Sequence, residues 1–492
     1  MDGVIVETRG KTTRKTSSRI LACIFRPVSI APLVTFRIVF GAMMVFGTVR
    51  FMALGWIGDH YVRPVLHFKY YGFGWVGTLP EFWLYVLHIL MIASALGVMA
   101  GRFYRLSAIV LFLTFTYTEL IDLTYYLNHY YFVSIVCFLM VFVPAGASGV
   151  NNPTPSPSPQ GRGVFSSGGF VPAWTTGIFK LQLALVYTYA GLAKINYDWL
   201  IGALPLKIWV PASDALPVVG WFFKFGFTPH LFSWFGMVYD CTIVFFLLWR
   251  KTRPLAYVTV IVFHLLTGLM FQIGVFPLVM IGATLIFFSD GWHGKVVSKI
   301  GYWISELKEM LRFERLKIVS FQKAKPALQP SGHAQKTSFR NPQSNFRILF
   351  FLSAFFLFQI LFPWRYVLYP GNIFWTEEGY RFSWRVMLME KAGTATFYVK
   401  DRQTGREGEV VNSEFLNTHQ EKQMAMQPDM ILQYAHFLAS HYAKQGMQNP
   451  AVRAEVYVTL NARPSRLLID PNVDLTKIKD GWRHKTWILP DE

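Results

Sequence analysis

For most of its length the chain alternates long apolar runs with short polar connections, and then its pattern changes. Apolar segments occupy residues 30–56, 81–100, 106–120, 128–145, 174–194, 230–249, 255–272, 274–289 and 346–363. A membrane-crossing helix needs roughly 20 apolar residues, fewer where it is buried in a bundle. The pattern therefore predicts a polytopic α-helical membrane protein with about nine transmembrane helices, the helical domain covering 30–363. Beyond residue 364 the period turns from helical to alternating. RFSWRVMLM, TATFYVKD, GEVVN and VRAEVYVTLNA read as strands, with YVKDRQTGREGEV as a hairpin tip. Residues 427–446 space their apolar groups as a helix does and stop at Gly446. The region 364–492 is thus expected to form a β-rich or α+β domain.

Charge orients this arrangement. Residues 1–29, beginning MDGVIVETRGKTTRKTSSRI, are basic and polar. The apolar run that follows is too long for a signal-peptide core, so the tail reads as retained and cytoplasmic. With that end inside, the connections 101–105 (GRFYR), 250–253 (RKTR) and 290–345 should be basic. They are, and the last is a basic cytoplasmic loop carrying Lys295, Lys299, Lys308, Arg312, Arg315, Lys317, Lys323, Lys325, Lys336 and Arg340. The other inside connection, 146–173, is a flexible stretch around PTPSPSPQGRG with little charge. An odd number of crossings then leaves 364–492 outside the cytoplasm, on the periplasmic side in a bacterium. Only 15% of the 492 residues are charged and 53% are hydrophobic, against about a quarter charged in soluble domains. The net charge of +19 sits in tails and loops, where it encodes topology and not nucleic-acid binding. Three scattered cysteines, Cys23, Cys137 and Cys241, make neither a disulfide framework nor a paired-cysteine metal site.

Four stretches carry chemistry. The run WTTGIFKLQLALVYTYAGLAKINYDWLIG, 174–202, ends its apolar part on Lys194, just after Gly191 and Ala193. An ammonium at membrane depth is costly and marks function by default. Its plainer role is to cap the segment, snorkel to the headgroups and pair with Asp198 at i+4. In DLTYYLNHYYFV, 122–133, Asp122, Asn128 and His129 stand among tyrosines. They fit an interfacial belt, or a hydrogen-bonding pair aimed into the bundle with His129 in proton transfer. VFHLLTGLMFQIGVF sets His264 and Gln272 in an apolar hairpin, with Gly268 and Gly274 allowing close helix approach. YPGNIFWTEEGYRFSWRVM, 369–387, collects Trp375, Tyr380, Phe382 and Trp384 with Glu377, Glu378, Arg381 and Arg385. That mixture suits the wall of a substrate cavity or an interfacial collar.

Taken in order, NHYYF, YAGLAKINYDWL, FHLLTGLMFQIGVF, YPGNIFWTEEGYRFSWR and LIDPNVDL resemble the vitamin K-dependent γ-carboxylase family. The membrane part resembles its horizontally transferred transmembrane domain. The likeness runs from about residue 30 to the end, apart from 150–170 and 295–345. It implies an enzyme in which a lysine deprotonates reduced vitamin K, the hydroquinone. O2 then converts it to the epoxide through a strongly basic alkoxide. That base takes a γ-proton from a protein glutamate, and the carbanion adds CO2 to give γ-carboxyglutamate. Carried over residue by residue, Lys194 is the catalytic base and His129 its companion. Asn128, His264 and Tyr380 fall to the hydroquinone site, Tyr380 at an aromatic position of the family's hydroquinone and glutamate cavity. The aromatic and charged make-up of 369–387 itself suggests Trp375, Arg381 and Trp384 for the substrate site. Apolar surroundings disfavour an ammonium and so favour the neutral amine such a base needs. They also keep water from quenching a strong base.

The resemblance implies hydroquinone or menaquinol with O2 and CO2 as co-substrates, without metal or biotin. The implied partners are a glutamate-containing protein or peptide, the quinone and the bilayer, and no nucleic acid. Three departures stand out. Animal members have two adjacent lysines where this chain has Ala193-Lys194. Tyr366, in FPWRYVLYPG, stands where many members carry a histidine. The long C-terminal region of animal members is missing, as in a bacterial-type homologue. Two other readings remain: quinol epoxidation without protein carboxylation, and a non-catalytic membrane binding or transport protein that kept the bundle.

Overall fold

A computed structural model describes residues 19, 21–146, 153–155, 165–167, 169–271, 273–310 and 342–491. Most of the basic tail, most of the Pro/Ser stretch, Gln272 and the basic residues from Arg312 to Arg340 lie outside the described residues.

Each of the nine apolar segments falls on a helix. Among the described residues, six helices are long and apolar enough to cross a membrane: α1 (Ala31–Ala53), α2 (Glu81–Ala100), α3 (Tyr104–Ile121), α6 (Thr228–Leu248), α7 (Arg253–Phe271) and α10 (Pro342–Leu361). The last continues as a 3-10 turn to Leu368. A seventh span is possible by joining α5 (Trp174–Ala193) to the helical stretch Asp198–Ser213, bent by 72° at the break. The remaining two segments are the shorter apolar helices α4 (Asn128–Phe142) and α8 (Phe276–Thr284). Short helices are tolerated when their neighbours cover them. Residues such as Phe132, Val136, Leu139 and Met140 of α4 are buried against the rest of the bundle. The connection expected as a loop from 290 instead begins with helix α9 (Asp290–Met310). Apolar positions such as Val297 face the bundle while most of its charges point outward.

The C-terminal region is an α+β domain. Four antiparallel strands lie in the order β2-β1-β3-β4, with β1 Lys391–Lys400, β2 Glu407–Glu409, β3 Ala451–Leu460 and β4 Arg466–Leu467. In β3, Val452, Ala454, Val456 and Val458 all point inward at the strand period. They meet α12 (Pro428–Lys444), whose Met430, Ile431, Tyr434 and Leu438 are buried. The shorter α11 (Thr418–Met424) starts on a capping box formed by Asn417 and Gln420. The stretch RFSWRVMLM is not a strand, contrary to its alternation. Phe382, Trp384 and Met387 take left-handed backbone conformations (φ +61°, +60° and +50°), as does Glu377 (φ +56°). A strand cannot contain them.

This strained loop joins the two domains. One hydrophobic cluster runs from Phe68, Leu123, Trp199, Leu206 and Phe223 of the membrane part into Phe374, Leu388 and Phe397. Polar ties reinforce it. Lys69 and Gln433 exchange two hydrogen bonds, at 2.7 and 2.9 Å, and Gln420 Nε2 donates to Asp122 at 2.9 Å.

Candidate functional site

Helix α5 approaches α6 closely because residue 191 has no side chain. A Cβ at Gly191 would lie 2.6 Å from Cys241 Sγ and 2.8 Å from the Cys241 amide. The helix ends three residues later at Lys194, its C-cap. There the Nζ donates to Asp240 Oδ2 at 2.7 Å and to the Ala190 carbonyl at 3.2 Å. The Trp199 ring lies 5.4 Å away. Both members of the Lys194–Asp240 pair are only 7% exposed.

The break after Lys194 also explains why the expected partner is not used. The chain turns away from the α5 axis, so Asp198 no longer lies one turn above the lysine. It receives Arg463 Nη1 and Asn461 Nδ2, each at 2.8 Å, and so binds the C-terminal domain to the bend. Asp240 is a partner the sequence reading passed over. A lone carboxylate within an apolar span is the same kind of signal as Lys194, and it stands openly in GMVYDCTIV.

The pair lines a cavity of about 310 Å³. Its walls are mostly apolar: Phe132, Val186, Leu231, Phe235, Val262, Phe263, Met270 and Phe276 among others. Its polar points are few and converge. His264, 2% exposed, meets the Tyr187 hydroxyl through Nε2 at 3.1 Å, and its Nδ1 has no partner among the described residues. His129 and His264 flank Phe276, with ring centroids 5.3 and 5.5 Å from it. Trp384 closes another side, stacked on Tyr131 at 4.9 Å.

A second, larger cavity of about 1560 Å³ lies between the membrane part and the C-terminal domain. Asn128, His129, Ile273, Phe276, Val386 and Met387 line both cavities. They form the wall between an apolar chamber and one of mixed lining. Asn128 fixes that wall. It accepts the Tyr126 hydroxyl at 3.1 Å and donates to the Arg385 carbonyl at 3.0 Å, and Tyr126 in turn accepts the Phe382 amide at 2.8 Å.

The remaining sequence-derived residues divide. Tyr380 and Arg381 line the larger cavity. Burial pushes the Tyr380 phenol up, so it remains a neutral donor. Burial works against the Arg381 guanidinium, but Asp429 outweighs it and raises the group further. Arg381 bonds Asp429 and Gln427 of the C-terminal domain. Trp375 lines neither cavity; its indole N–H donates to the Leu489 carbonyl at 2.7 Å. Lys194, Asn128, His129, His264 and Trp384 meet around the smaller chamber, whereas Tyr380 and Arg381 stand across the shared wall.

Two protein-family models match the chain. The HTTM domain covers residues 25–292, more than half its length. The vitamin K-dependent gamma-carboxylase, lumenal domain, covers residues 344–492. The first match spans α1 to α8, and the second takes in the last span-capable helix, α10, together with the α+β domain. No solved structure matches the chain.

Proposed function

Because the chain belongs to the vitamin K-dependent γ-carboxylase family, we propose that it is a quinol-driven γ-glutamyl carboxylase with epoxidase activity. It is a membrane protein with a non-cytoplasmic C-terminal domain. We place its N-terminus in the cytoplasm and its substrate, a glutamate in a protein or peptide, on the opposite side. The observation that carries this reading is a buried lysine in an apolar chamber that shares one wall with a larger cavity of mixed polar and apolar lining.

The smaller chamber fits a hydroquinone. At about 310 Å³ it lies at the low end of the roughly 300–1,000 Å³ range of small-molecule pockets. Aromatic and aliphatic walls suit a fused ring and prenyl tail, and Lys194, His129 and His264 offer polar contacts to ring oxygens. When bound, vitamin K hydroquinone and O2 supply a base strong enough to take a proton from a glutamate γ-carbon, which then adds CO2.

The chain's own groups do the rest. Lys194 receives a proton at Nζ when Asp240 holds the one proton that the pair shares, since two opposite charges and a neutral pair differ only in its position. The apolar lining keeps water out, so that a strong base survives. His129, on the shared wall, faces both chambers and can give or take a proton at the boundary. Asn128 holds the loop that closes that boundary.

Purified protein in nanodiscs, given vitamin K hydroquinone, O2, labelled bicarbonate and a glutamate peptide, tests this. Epoxide together with peptide-bound label supports the carboxylase. Epoxide without label restricts the chain to quinol oxidation. Neither product from folded protein overturns the assignment in favour of a binding protein.

A further inference from the structure

The charges of the interdomain loop are almost all matched. Arg381 pairs with Asp429, and Lys391 donates to Glu377 at 2.9 Å and to the Trp375 carbonyl at 2.8 Å. Arg385 is different. It is 7% exposed and lines the larger cavity, and among the described residues it makes no ion pair. Its guanidinium lies over the rings of Tyr366 (4.3 Å) and Phe374 (5.7 Å), and among the described residues its Nε has no hydrogen-bond partner. Burial holds the group below its ordinary value, and only the Tyr366 and Tyr380 phenols act against that. A buried guanidinium without a counter-charge is costly, yet the fold anchors the backbone that carries this one. Its carbonyl is bound by Asn128, and the flanking Trp384 and Met387 sit in left-handed conformations. The next two residues, Val386 and Met387, line both cavities.

We propose that Arg385 is the carboxylate subsite of the larger cavity and takes the side-chain γ-carboxylate of a peptide glutamate. This deepens the proposed function and rests on it. A guanidinium presents paired N–H donors that match a carboxylate in geometry as well as charge. The subsite also answers the electrostatic difficulty of the reaction. When the quinol-derived base takes the proton from the carbon beside the carboxylate, the C–H electron pair spreads onto the carboxylate. The group passes from one negative charge to two. A fixed guanidinium stabilises the doubly charged form more than the singly charged one. Tyr366, where many family members carry a histidine, forms the floor under this guanidinium.

Binding tests the subsite without quinol or O2. A blocked pentapeptide with one central glutamate and its glutamine twin are titrated separately into the full-length protein in detergent. Wild type should prefer the glutamate peptide by roughly tenfold or more, as expected for a charge-assisted pair. In Arg385→Gln the ratio should fall to near one with the glutamine peptide bound as before, which shows the cavity intact. Arg385→Lys should restore part of the preference. A glutamate preference that survives in Arg385→Gln overturns the subsite alone, as does a wild type with equal affinity for both peptides. Should Arg385→Gln bind neither peptide, Arg385→Lys decides: a retained preference supports the subsite, and loss of both peptides overturns it. A wild type that binds neither peptide overturns the peptide-substrate reading together with the subsite.

Discussion

Lys194 Nζ and Asp240 Oδ2 stand 2.7 Å apart, each side chain 7% exposed, where α5 ends against α6. An ammonium held by a carboxylate is not a base, so the role proposed for Lys194 requires the shared proton to pass to Asp240. Removing one member leaves the other buried and unmatched, which costs about 3–5 kcal/mol, whereas replacing both with apolar groups is often neutral or stabilising. Lys194→Met and Asp240→Leu should each lower thermal stability markedly in detergent, and the double variant should recover most of it. None of the three should form epoxide from vitamin K hydroquinone. A stable double variant that still oxidises quinol would remove the pair from the chemistry.

Gly191 controls the spacing on which that contact depends. A methyl group there would meet the Cys241 Sγ at 2.6 Å and the Cys241 and Asp240 backbone at 2.8 and 3.1 Å. Backbone cannot rotate aside as a side chain can, so α5 and α6 must separate. Gly191→Ala should cost about 1–3 kcal/mol of stability, the usual range for overpacking, and reduce quinol oxidation by roughly tenfold or more. Unfolding curves and epoxide formation measured on the same preparation check both.

The legible parts of the sequence were those governed by local pattern. Nine apolar segments, the helix near 427–446 and the long strand in VRAEVYVTLNA all appear where periodicity puts them. What escaped was set by contacts distant in sequence. The helix breaks at Lys194, which sends Asp198 to Arg463, 265 positions away, and gives the lysine to Asp240. RFSWRVMLM alternates like a strand, but its neighbours in space hold three residues of the loop at positive φ. Among the candidate residues, Lys194, His129 and His264 were visible as ionisable groups in apolar runs. Trp375 was grouped with Arg381 and Trp384, its neighbours in sequence, and the fold turns its indole to the Leu489 carbonyl instead.

The Asp198 contact gives a third expectation. Arg463 and Asn461 both reach it from the end of β3, and this tie connects the C-terminal domain to the bend beside Lys194. Asp198→Asn should weaken that connection by about 1–3 kcal/mol, as for a hydrogen bond to a charged group that loses its charge. Amide exchange should rise around residues 195–203 and 461–466 while the exchange of α1–α3 stays as it was. Uniform protection in the variant would mean that apolar contacts alone dock the domains.

Acid should loosen the wall of the larger cavity before it unfolds the bundle. His60 lies in a stack of rings, 3.8 Å from Tyr125, which in turn lies 4.6 Å from His419 of the C-terminal domain. Burial, with His419 adding to it, lowers the His60 imidazole from 6.5 to about 4. In the folded chain His60 is therefore neutral above pH 4, while in an unfolded chain it gains its proton near pH 6.5. The unfolded state binds more protons between those values, so stability rises with pH across the window and is fully present above it. The loss on going from pH 7 to pH 4 is at most about 3 kcal/mol for this group. Asp429 acts lower on the scale. Burial would push it up, but Arg381 outweighs burial and holds it below its ordinary value, so its contribution is lost only as pH falls through that depressed value. Thermal midpoints recorded from pH 7.5 to 4.5 should fall, and His60→Gln, which stays neutral, should flatten that slope. An unchanged slope in His60→Gln would assign the acid sensitivity to other groups.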